Sequence, residues 1–211
     1  MKNLAIIGAT GSTGKELVKL AIQKNYKVTI IARKPELLKP TKNTKIVNGD
    51  VTDLKSLVNA LENIDFVISC FGPTNHKKVG NLMSLGTKNI VEACKKNEIK
   101  RFVFMSGFVQ SDSKNFSIFN RLAIKLLRIY YKESFDDKII AESSIQKSKL
   151  NWVIVRAVAL TDKIPKGEYK AGTDLKVSPF NALTYGDCAT CLLDAIEKTA
   201  WTNTIVNVGK K

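Results

Sequence analysis

Three glycines near the start of the chain recur at intervals of three residues. Gly8, Gly11 and Gly14 follow an apolar run, Leu4 to Ile7, and precede a segment with the apolar spacing of a helix. In that order, the first glycine permits a sharp turn, the second lets a ligand approach the backbone, and the third lets the helix pack closely on the strand. The unpaired N–H groups of the first helical turn would then face an anion. The pattern predicts a site for the diphosphate of a dinucleotide, and a tight turn without a ligand is the alternative.

The residues expected to hold this diphosphate are Gly8, Thr10, Gly11, Ser12, Thr13 and Gly14. The end of the next predicted strand, Lys27 to Ala32, decides which dinucleotide fits. An acid there accepts a hydrogen bond from the ribose 2′-hydroxyl of NAD, whereas a cation pairs with the 2′-phosphate of NADP. Arg33 and Lys34 stand at this position, and Glu36, the nearest acid, lies beyond a proline. Because a guanidinium offers a planar fork to a phosphate, the charges favour NADP(H); the alternative is that both cations are solvated loop residues.

Two further strand ends are expected to complete the cofactor site. Asp50 and Val51 follow a short third strand, where the adenine would lie, and Asp50 is a candidate acceptor for its amino group. A turn-forming aspartate is the competing interpretation of Asp50. Cys70, Phe71 and Gly72 follow the fourth predicted strand. Because ligands of open α/β sheets bind at the carboxyl ends of strands, this loop is predicted to lie on the ribose side of the cofactor.

The elements that position these residues alternate between strands and helices. After the first strand, the sequence predicts strands at residues 27–32, 45–48, 64–70, 101–105, 152–155 and 204–208. The unbroken apolar run from Phe66 to Ile68 is typical of a central parallel strand, which is buried on both faces. We therefore predict an α/β fold, a Rossmann-like, doubly wound and mostly parallel sheet, with residues 1–211 forming a single domain.

The segments between the predicted strands carry helical patterns. Apolar spacing predicts helices over residues 16–24, 53–61, 81–95, 116–131, 136–149 and 185–198, with Thr52 or Asp53 as the cap of the second. The segment from Phe116 to Tyr131 is amphipathic and long for a connection; core packing is the default, and a lid or a partner face is the alternative. The polar residues 161–180 form a loop that we expect on the substrate side.

Charge and cysteine spacing narrow the classes of function. The net charge of +15 is spread along the chain without a compact basic arm. A solvated cationic surface that attracts an anionic cofactor is therefore favoured over a specific nucleic-acid site. Cys188 and Cys191 have a spacing used by redox and metal sites, but they lie in a helical pattern and His76 is the sole histidine. We interpret both cysteines as core or helix-face residues and expect no metal.

The hydropathy pattern bears on location and partners. The opening apolar run stops at Gly8, and no window approaches about 18 apolar residues. We therefore expect a cytoplasmic protein without a membrane segment. A small molecule is the expected partner, and the expected assembly is a monomer or a homodimer.

With these residues in place, the chain resembles the atypical short-chain dehydrogenase/reductase group. More narrowly, it looks like the small NAD(P)H-binding proteins related to flavin reductase/biliverdin reductase B and to the NmrA-like proteins. The motifs that carry the resemblance are GATGSTG at 8–14, ARK at 32–34, GDVTD at 49–53, VISCFG at 67–72, RFVFMSG at 101–107, KIIAE at 138–142 and WVIVRA at 152–157. The resemblance thus covers almost the whole chain, and the glycine motif and its arginine are the specific part.

The resemblance also implies candidate catalytic residues. In catalytic relatives a serine or threonine follows the fifth strand, and a Tyr-x-x-x-Lys pair lies on the next helix. Ser106 matches the serine and Lys138 the lysine, so both are expected near the nicotinamide, but Ser134 stands where the tyrosine belongs. Tyr130 and Tyr131 lie one or two turns earlier and would reach the site only if the helix breaks or shifts.

The missing tyrosine favours a reaction that needs little acid–base assistance. A flavin, quinone or tetrapyrrole-like acceptor needs mainly an aligned hydride, since its protons can come from solvent. The sequence therefore predicts an NADPH-dependent reductase of a small planar molecule. The alternative is a non-catalytic NADP(H)-binding sensor, as NmrA-like relatives are, with residues 119–130 as its docking face. For single residues, the alternatives are a strand-end role for Ser106 and a solvated Lys138 paired with Glu142.

Overall fold

A computed structural model describes residues 1–41, 43–178 and 180–211, apart from the side chain of Phe119. The strands are β1 Asn3–Ile7, β2 Lys27–Ala32, β3 Thr44–Asn48, β4 Phe66–Ser69, β5 Arg101–Gly107, β6 Trp152–Ala157, β7 Leu160–Thr161, β8 Lys170–Gly172, β9 Leu183–Thr184 and β10 Thr204–Gly209. The α-helices are α1 Ser12–Gln23, α2 Leu54–Ala60, α3 Leu82–Lys96, α4 Ile118–Tyr130, α5 Lys132–Gln146 and α6 Tyr185–Asp194. The alternation of strands and helices confirms the predicted α/β class.

The main sheet has the strand order β3-β2-β1-β4-β5-β6-β10-β8. Its pairs are parallel except for β8, which runs antiparallel to β10. The chain moves outwards from β1 to β3 and then crosses back to β4 on the other side of β1. Strand order therefore reverses between β1 and β4, which is where open α/β sheets bind their ligands.

Two apolar layers cover the faces of the sheet. Along β1, Leu4 and Ile6 pack into one buried cluster, whereas Ala5 and Ile7 pack into the other. A strand that contributes to both layers has no polar face, and this is why its sequence reads as a continuous apolar run. The layers hold the carboxyl ends of the central strands at one edge.

The structure shifts several helix boundaries from those predicted. The stretch from Phe116 yields α4, which begins at Ile118 because Ser117 caps it by accepting from Asn120 N at 3.3 Å. Helix α5 begins at Lys132, four residues before its predicted start. Asp53 caps α2 by accepting from Lys55 N at 2.9 Å, as one of the two predicted caps.

The end of α6 also differs from the prediction, because it stops at Asp194 and not near Lys198. The buried guanidinium of Arg101, at the start of β5, donates to the carbonyls of Ala195, Ile196 and Lys198 at 3.1, 2.9 and 3.1 Å. Arg101 thus stabilises a non-helical conformation of these residues, although the apolar pattern of the sequence continues through them.

The predicted loop 161–180 contains a short strand, β8, that extends the sheet at its edge. Pro179, near the end of that loop, lies outside the described residues. Strands β7 and β9 pair in a small parallel sheet in which Leu160 faces Leu183. Within the part of the chain that the structure describes, no helix is long and apolar enough to cross a membrane.

Candidate functional site

The three glycines of the first turn differ in what surrounds them. Gly8 has a φ of +86°, and a Cβ there would lie 2.6 Å from Phe71 N. A Cβ on Gly14 would lie 2.2 Å from the Gly8 carbonyl oxygen, so the start of α1 packs directly on the turn. A Cβ on Gly11 would instead meet that oxygen at 3.5 Å, an ordinary contact. Protein packing therefore requires glycine at two positions and leaves the third open.

The first turn of α1 presents hydrogen-bond donors without acceptors. Its N-cap, Gly11, has no side chain to cap it, and the first turn holds no acid. Lys15 N donates to the Gly11 carbonyl at 2.9 Å. In the described residues, the N–H groups of Ser12, Thr13 and Gly14 have no acceptor. This cluster of donors at the positive end of a helix suits an anion such as a diphosphate.

Arg33 and Lys34 lie at the same edge of the sheet as this turn. In the pairing of β1 with β2, Ile7 is opposite Ile31, so Arg33 follows β2 much as Gly8 follows β1. Both cations are exposed, and neither forms an ion pair with any residue that the structure describes. The guanidinium is therefore available to a 2′-phosphate, and the preference for NADP over NAD stays a prediction.

In the structure, Asp50 stabilises a turn, as the competing interpretation of this residue expects. Its Oδ1 accepts from the Thr52 backbone N–H and hydroxyl, both at 2.8 Å. The carbonyl of Val51 accepts from Asn89 Nδ2 at 2.9 Å. Hydrogen bonds within the protein thus fix the positions of both residues. Their contact with an adenine, with Asp50 as an acceptor, stays a prediction.

Of the three residues expected at the cofactor after β4, Cys70, Phe71 and Gly72, only Gly72 is exposed. The thiol of Cys70 donates to the carbonyl of Ile7 at 3.4 Å and is also 3.7 Å from that of Gly8. Burial raises the pKa of this thiol to about 12, so Cys70 supports the glycine turn as an unreactive group. The ring of Phe71 packs inwards at 6.4 Å from that of Phe104. Gly72 is exposed, and a Cβ there would meet no atom within 4 Å.

Helix α5 is held in register by carboxylates that cap the start of α3. Asp137 accepts from the backbone N–H groups of Met83 and Ser84 at 2.7 and 3.0 Å. One turn earlier, Glu133 accepts from Val79 N at 2.7 Å. These bonds fix the position of the next residue along the helix, Lys138, relative to the strand ends.

Ser106 and Lys138 both lie near the carboxyl end of β5. The Nζ of Lys138 lies 3.9 Å from the position that a Cβ on Gly107 would occupy, one residue after Ser106. The hydroxyl of Ser106 is buried and has no partner among the described residues. Burial also lowers the pKa of Lys138, against the raising effects of Glu142 and Asp137.

Lys138 does not form the ion pair with Glu142 that its alternative interpretation expects. Glu142 is buried and forms an ion pair with Arg156, with Oε2 and Nη2 at 2.6 Å. Arg156 stands opposite Ser106 in the pairing of β5 with β6, so this pair lies next to the candidate site. The carboxylate that the i,i+4 spacing assigns to the lysine is thus taken by a residue from another strand.

His76, which the sequence interpretation did not place in the site, lies beside Ser134, the position of the absent tyrosine. Ser134 is buried, and its hydroxyl is 3.4 Å from Nδ1 of His76 in the loop after β4. Burial, and then the charge of Lys138, lower the pKa of His76. The helical conformation is interrupted at Tyr131, between α4 and α5. The ring centroid of Tyr131 is 6.1 Å from that of His76. No local pattern marks His76, because its partner is 58 residues away.

The paired cysteines of the last helix lie in the core, as interpreted. Cys188 and Cys191 are free thiols, fully buried in α6. Burial raises the pKa of Cys191 to about 12 and raises that of Cys188 as well. Neither thiol is exposed to a substrate.

A family of proteins described as NAD(P)H-binding matches residues 8–199. The match starts at the first glycine of the turn and ends after α6. It includes all the residues expected at the cofactor, which supports the resemblance drawn from the motifs.

Two curated relatives match part of this region. Photosystem II assembly factor Ycf39 of Cyanophora paradoxa is 29% identical over 159 residues, which are 73% of this chain and 44% of the relative. The divinyl chlorophyllide a 8-vinyl-reductase of Arabidopsis thaliana is 28% identical over 173 residues, 74% of this chain and 39% of that protein. The chain thus spans less than half the length of either relative.

Among solved structures, the oxidoreductase ylbE of Lactococcus lactis has the same fold. It superposes with a TM-score of 0.81 at 24% identity, covering 99% of this chain and 91% of that chain. Because the likeness extends over nearly the whole chain, it confirms the predicted Rossmann-like fold.

Proposed function

The chain belongs to the NAD(P)H-binding family, and on that premise we propose that it is an NADPH-dependent reductase of a small planar acceptor, such as a flavin, a quinone or a tetrapyrrole. One observation carries the proposal. Protein packing leaves room for a Cβ at Gly11, so the open space beside its backbone is available to a ligand. That approach would occur beside three N–H donors without acceptors.

The residues of the turn would hold the cofactor by its phosphates. Ser12, Thr13 and Gly14 would donate to the diphosphate through their backbone N–H groups, and the exposed hydroxyl of Thr10 lies on the same turn. Arg33, with Lys34, would pair with the 2′-phosphate. The preference for NADPH over NADH rests on these two cations.

The nicotinamide end would lie at Ser106 and Lys138. When bound, the reduced nicotinamide supplies a hydride. The buried Ser106 hydroxyl has no partner in the described part of the chain, and such a group costs about 1–3 kcal/mol unless a ligand pairs with it. Lys138, held by the caps on α3, would donate to the ribose hydroxyls. Together they would orient the cofactor against a flat acceptor.

The nature of the acceptor is argued from what position 134 lacks. Ser134 offers no phenol, so a reaction that needs a dedicated proton donor at this place is disfavoured. A planar acceptor that takes its protons from solvent has no such need. The relative that reduces a chlorophyllide acts on a tetrapyrrole, which supports this class of acceptor. A cytoplasmic location and a monomeric or dimeric state remain part of the proposal.

The reductase proposal is tested by following NADPH absorbance with FMN, FAD, a soluble quinone or a linear tetrapyrrole as acceptor. We expect NADPH oxidation with at least one acceptor, faster than with NADH. Lys138→Met is expected to reduce turnover more than it weakens NADPH binding, because Lys138 would orient the nicotinamide end and lies away from the phosphate-binding turn. Equal rates with both cofactors would contradict the cofactor preference, and no turnover with any acceptor would contradict the reductase.

A second candidate function is a non-catalytic NADP(H) sensor, favoured by the serine at the tyrosine position. Ser134 is buried and bonded to His76, so this part of the site is occupied by protein contacts. Tight NADP⁺ binding without turnover across the same acceptors would support the sensor over the reductase.

A further inference from the structure

Helix α4 exposes a continuous row of large apolar side chains. Ile118, Leu122, Leu126, Ile129 and Tyr130 are 78%, 66%, 59%, 63% and 58% exposed. Their spacing of three or four residues, with Tyr130 beside Ile129, places them on one side of the helix. We call these five residues the outer stripe. Single exposed apolar residues are ordinary, but a contiguous set marks an interaction surface.

The opposite side of α4 fixes the direction of the outer stripe. Ile124 is 2% exposed and packs in the core cluster that contains Phe108 and Phe116. Arg128 donates from Nε to the Val109 carbonyl at 2.9 Å and from Nη2 to the Ser111 carbonyl at 2.6 Å. Rotation of the helix would break these contacts, so the apolar residues cannot turn inwards.

The charges beside the outer stripe are all positive within α4. The helix holds no aspartate or glutamate, and Arg121 and Lys125 are exposed along one border of the stripe. At its end, the ammonium of Lys77 lies 4.5 Å from the ring centroid of Tyr130. The whole chain carries a net charge of +15. An apolar row bordered by cations is complementary to a surface that is apolar below and anionic above.

We propose that the outer stripe lies in the interface of a bilayer that contains anionic lipids. An amphipathic helix with a cationic border binds such a surface through buried apolar area and attraction to the headgroups. Tyr130 suits that position because its ring is apolar and its hydroxyl is polar. A second copy of the chain fits less well, because antiparallel contact of two α4 helices would bring their Arg121 and Lys125 side chains together. The proposal does not depend on the reductase activity.

The test is flotation of the purified protein with vesicles of phosphatidylcholine, with and without phosphatidylglycerol. We expect the wild type to float with the anionic vesicles, not with the neutral ones, and to dissociate as salt increases. Leu122→Gln combined with Leu126→Gln should weaken binding at least about tenfold, because two apolar side chains leave the interface. Arg121→Gln and Lys125→Gln should each weaken it about fivefold.

Leu37→Gln is the matched control, since Leu37 is 73% exposed and lies outside α4. It should float like the wild type, and the leucine variants and Lys125→Gln should keep the wild-type thermal midpoint, whereas Arg121→Gln loses the bond from its Nε to the Ser113 carbonyl. Failure of the wild type to bind anionic vesicles would overturn the proposal. So would equal binding of the double leucine variant, which would leave only diffuse charge attraction. Concentration-dependent self-association that the same variant abolishes would assign the stripe to a second copy.

Discussion

Gly11 and Gly14 belong to one motif, yet the structure gives them separate reasons to be glycine. Gly11→Ala should lower the free energy of unfolding by no more than about 1 kcal/mol, the cost of alanine at an N-cap. It should weaken NADPH binding at least about tenfold, because its Cβ fits the protein and obstructs the ligand. Gly14→Ala should lower the free energy of unfolding by about 1–3 kcal/mol, because its Cβ would lie 2.2 Å from the Gly8 carbonyl oxygen. Gly172→Ala, with nothing within 4 Å, is the control for both. Unaltered NADPH affinity in Gly11→Ala would refute the ligand-based reason.

The guanidinium of Arg33 is expected to distinguish the two nicotinamide cofactors. Arg33→Gln should raise the Kd for NADPH at least about tenfold, since a charge-assisted bond to a phosphate contributes about 1.5–3 kcal/mol. The Kd for NADH, which lacks that phosphate, should stay the same. Lys45→Gln, an exposed cation on the neighbouring strand β3, serves as the control in fluorescence titrations. A parallel loss of affinity for both cofactors would show that Arg33 acts elsewhere.

Lys138 should make stability depend on pH in a way that reveals its burial. Burial lowers its pKa in the folded chain below 10.5, so the unfolded chain binds more protons in the window between the two values. The free energy of unfolding of the wild type, relative to Lys138→Met, should therefore rise as pH increases towards 10.5. Urea unfolding of both proteins from neutral pH upwards measures that difference. A flat difference would indicate that the ammonium is solvated.

Among the elements, the start of β5 stabilises the end of α6 through Arg101. Its side chain is buried and donates to three carbonyls after that helix. Arg101→Met should lower the free energy of unfolding by at least about 3 kcal/mol, because several buried acceptors lose their donor. The folded fraction should bind NADPH normally, since Arg101 lies at the opposite end of the strand from Ser106. Reduced affinity at unchanged stability would contradict this assignment.

A feature could be predicted from the sequence where it depends on residues that are close together in the chain. Strand β1 was predictable because burial on both faces requires a continuous run of apolar residues. The glycine turn was predictable because a sharp bend requires glycine at a fixed spacing. The alternative that paired Glu142 with Lys138 did not hold, because the ion-pair partner of Glu142, Arg156, lies on another element and no local spacing indicates it. The contact of His76 with Ser134 was likewise not predictable, since it joins two elements that meet only in the folded chain. The interruption between α4 and α5 was predicted, because the apolar pattern itself stops near Tyr131.

In the whole molecule, the strand order and the net positive charge both favour a cofactor site at the carboxyl-terminal edge of the sheet. Strand order reverses between β1 and β4. The glycine turn and Arg33 follow parallel strands, and Ser106 lies near the end of another, so all three are at one edge of the sheet. A net charge of +15 favours the approach of an anionic dinucleotide to this edge. The topology thus gathers residues that are about 100 positions apart into one candidate site.

Titration calorimetry of the full chain with NADPH and with NADH, at moderate salt, addresses the dinucleotide site without reference to any acceptor. We predict measurable heat with NADPH and a Kd at least about tenfold lower than that for NADH, because the 2′-phosphate adds a charge-assisted contact. The Gly11→Ala variant should show little or no heat under the same conditions. Absence of heat with both cofactors in the wild type would contradict the proposed use of the glycine turn and of Arg33.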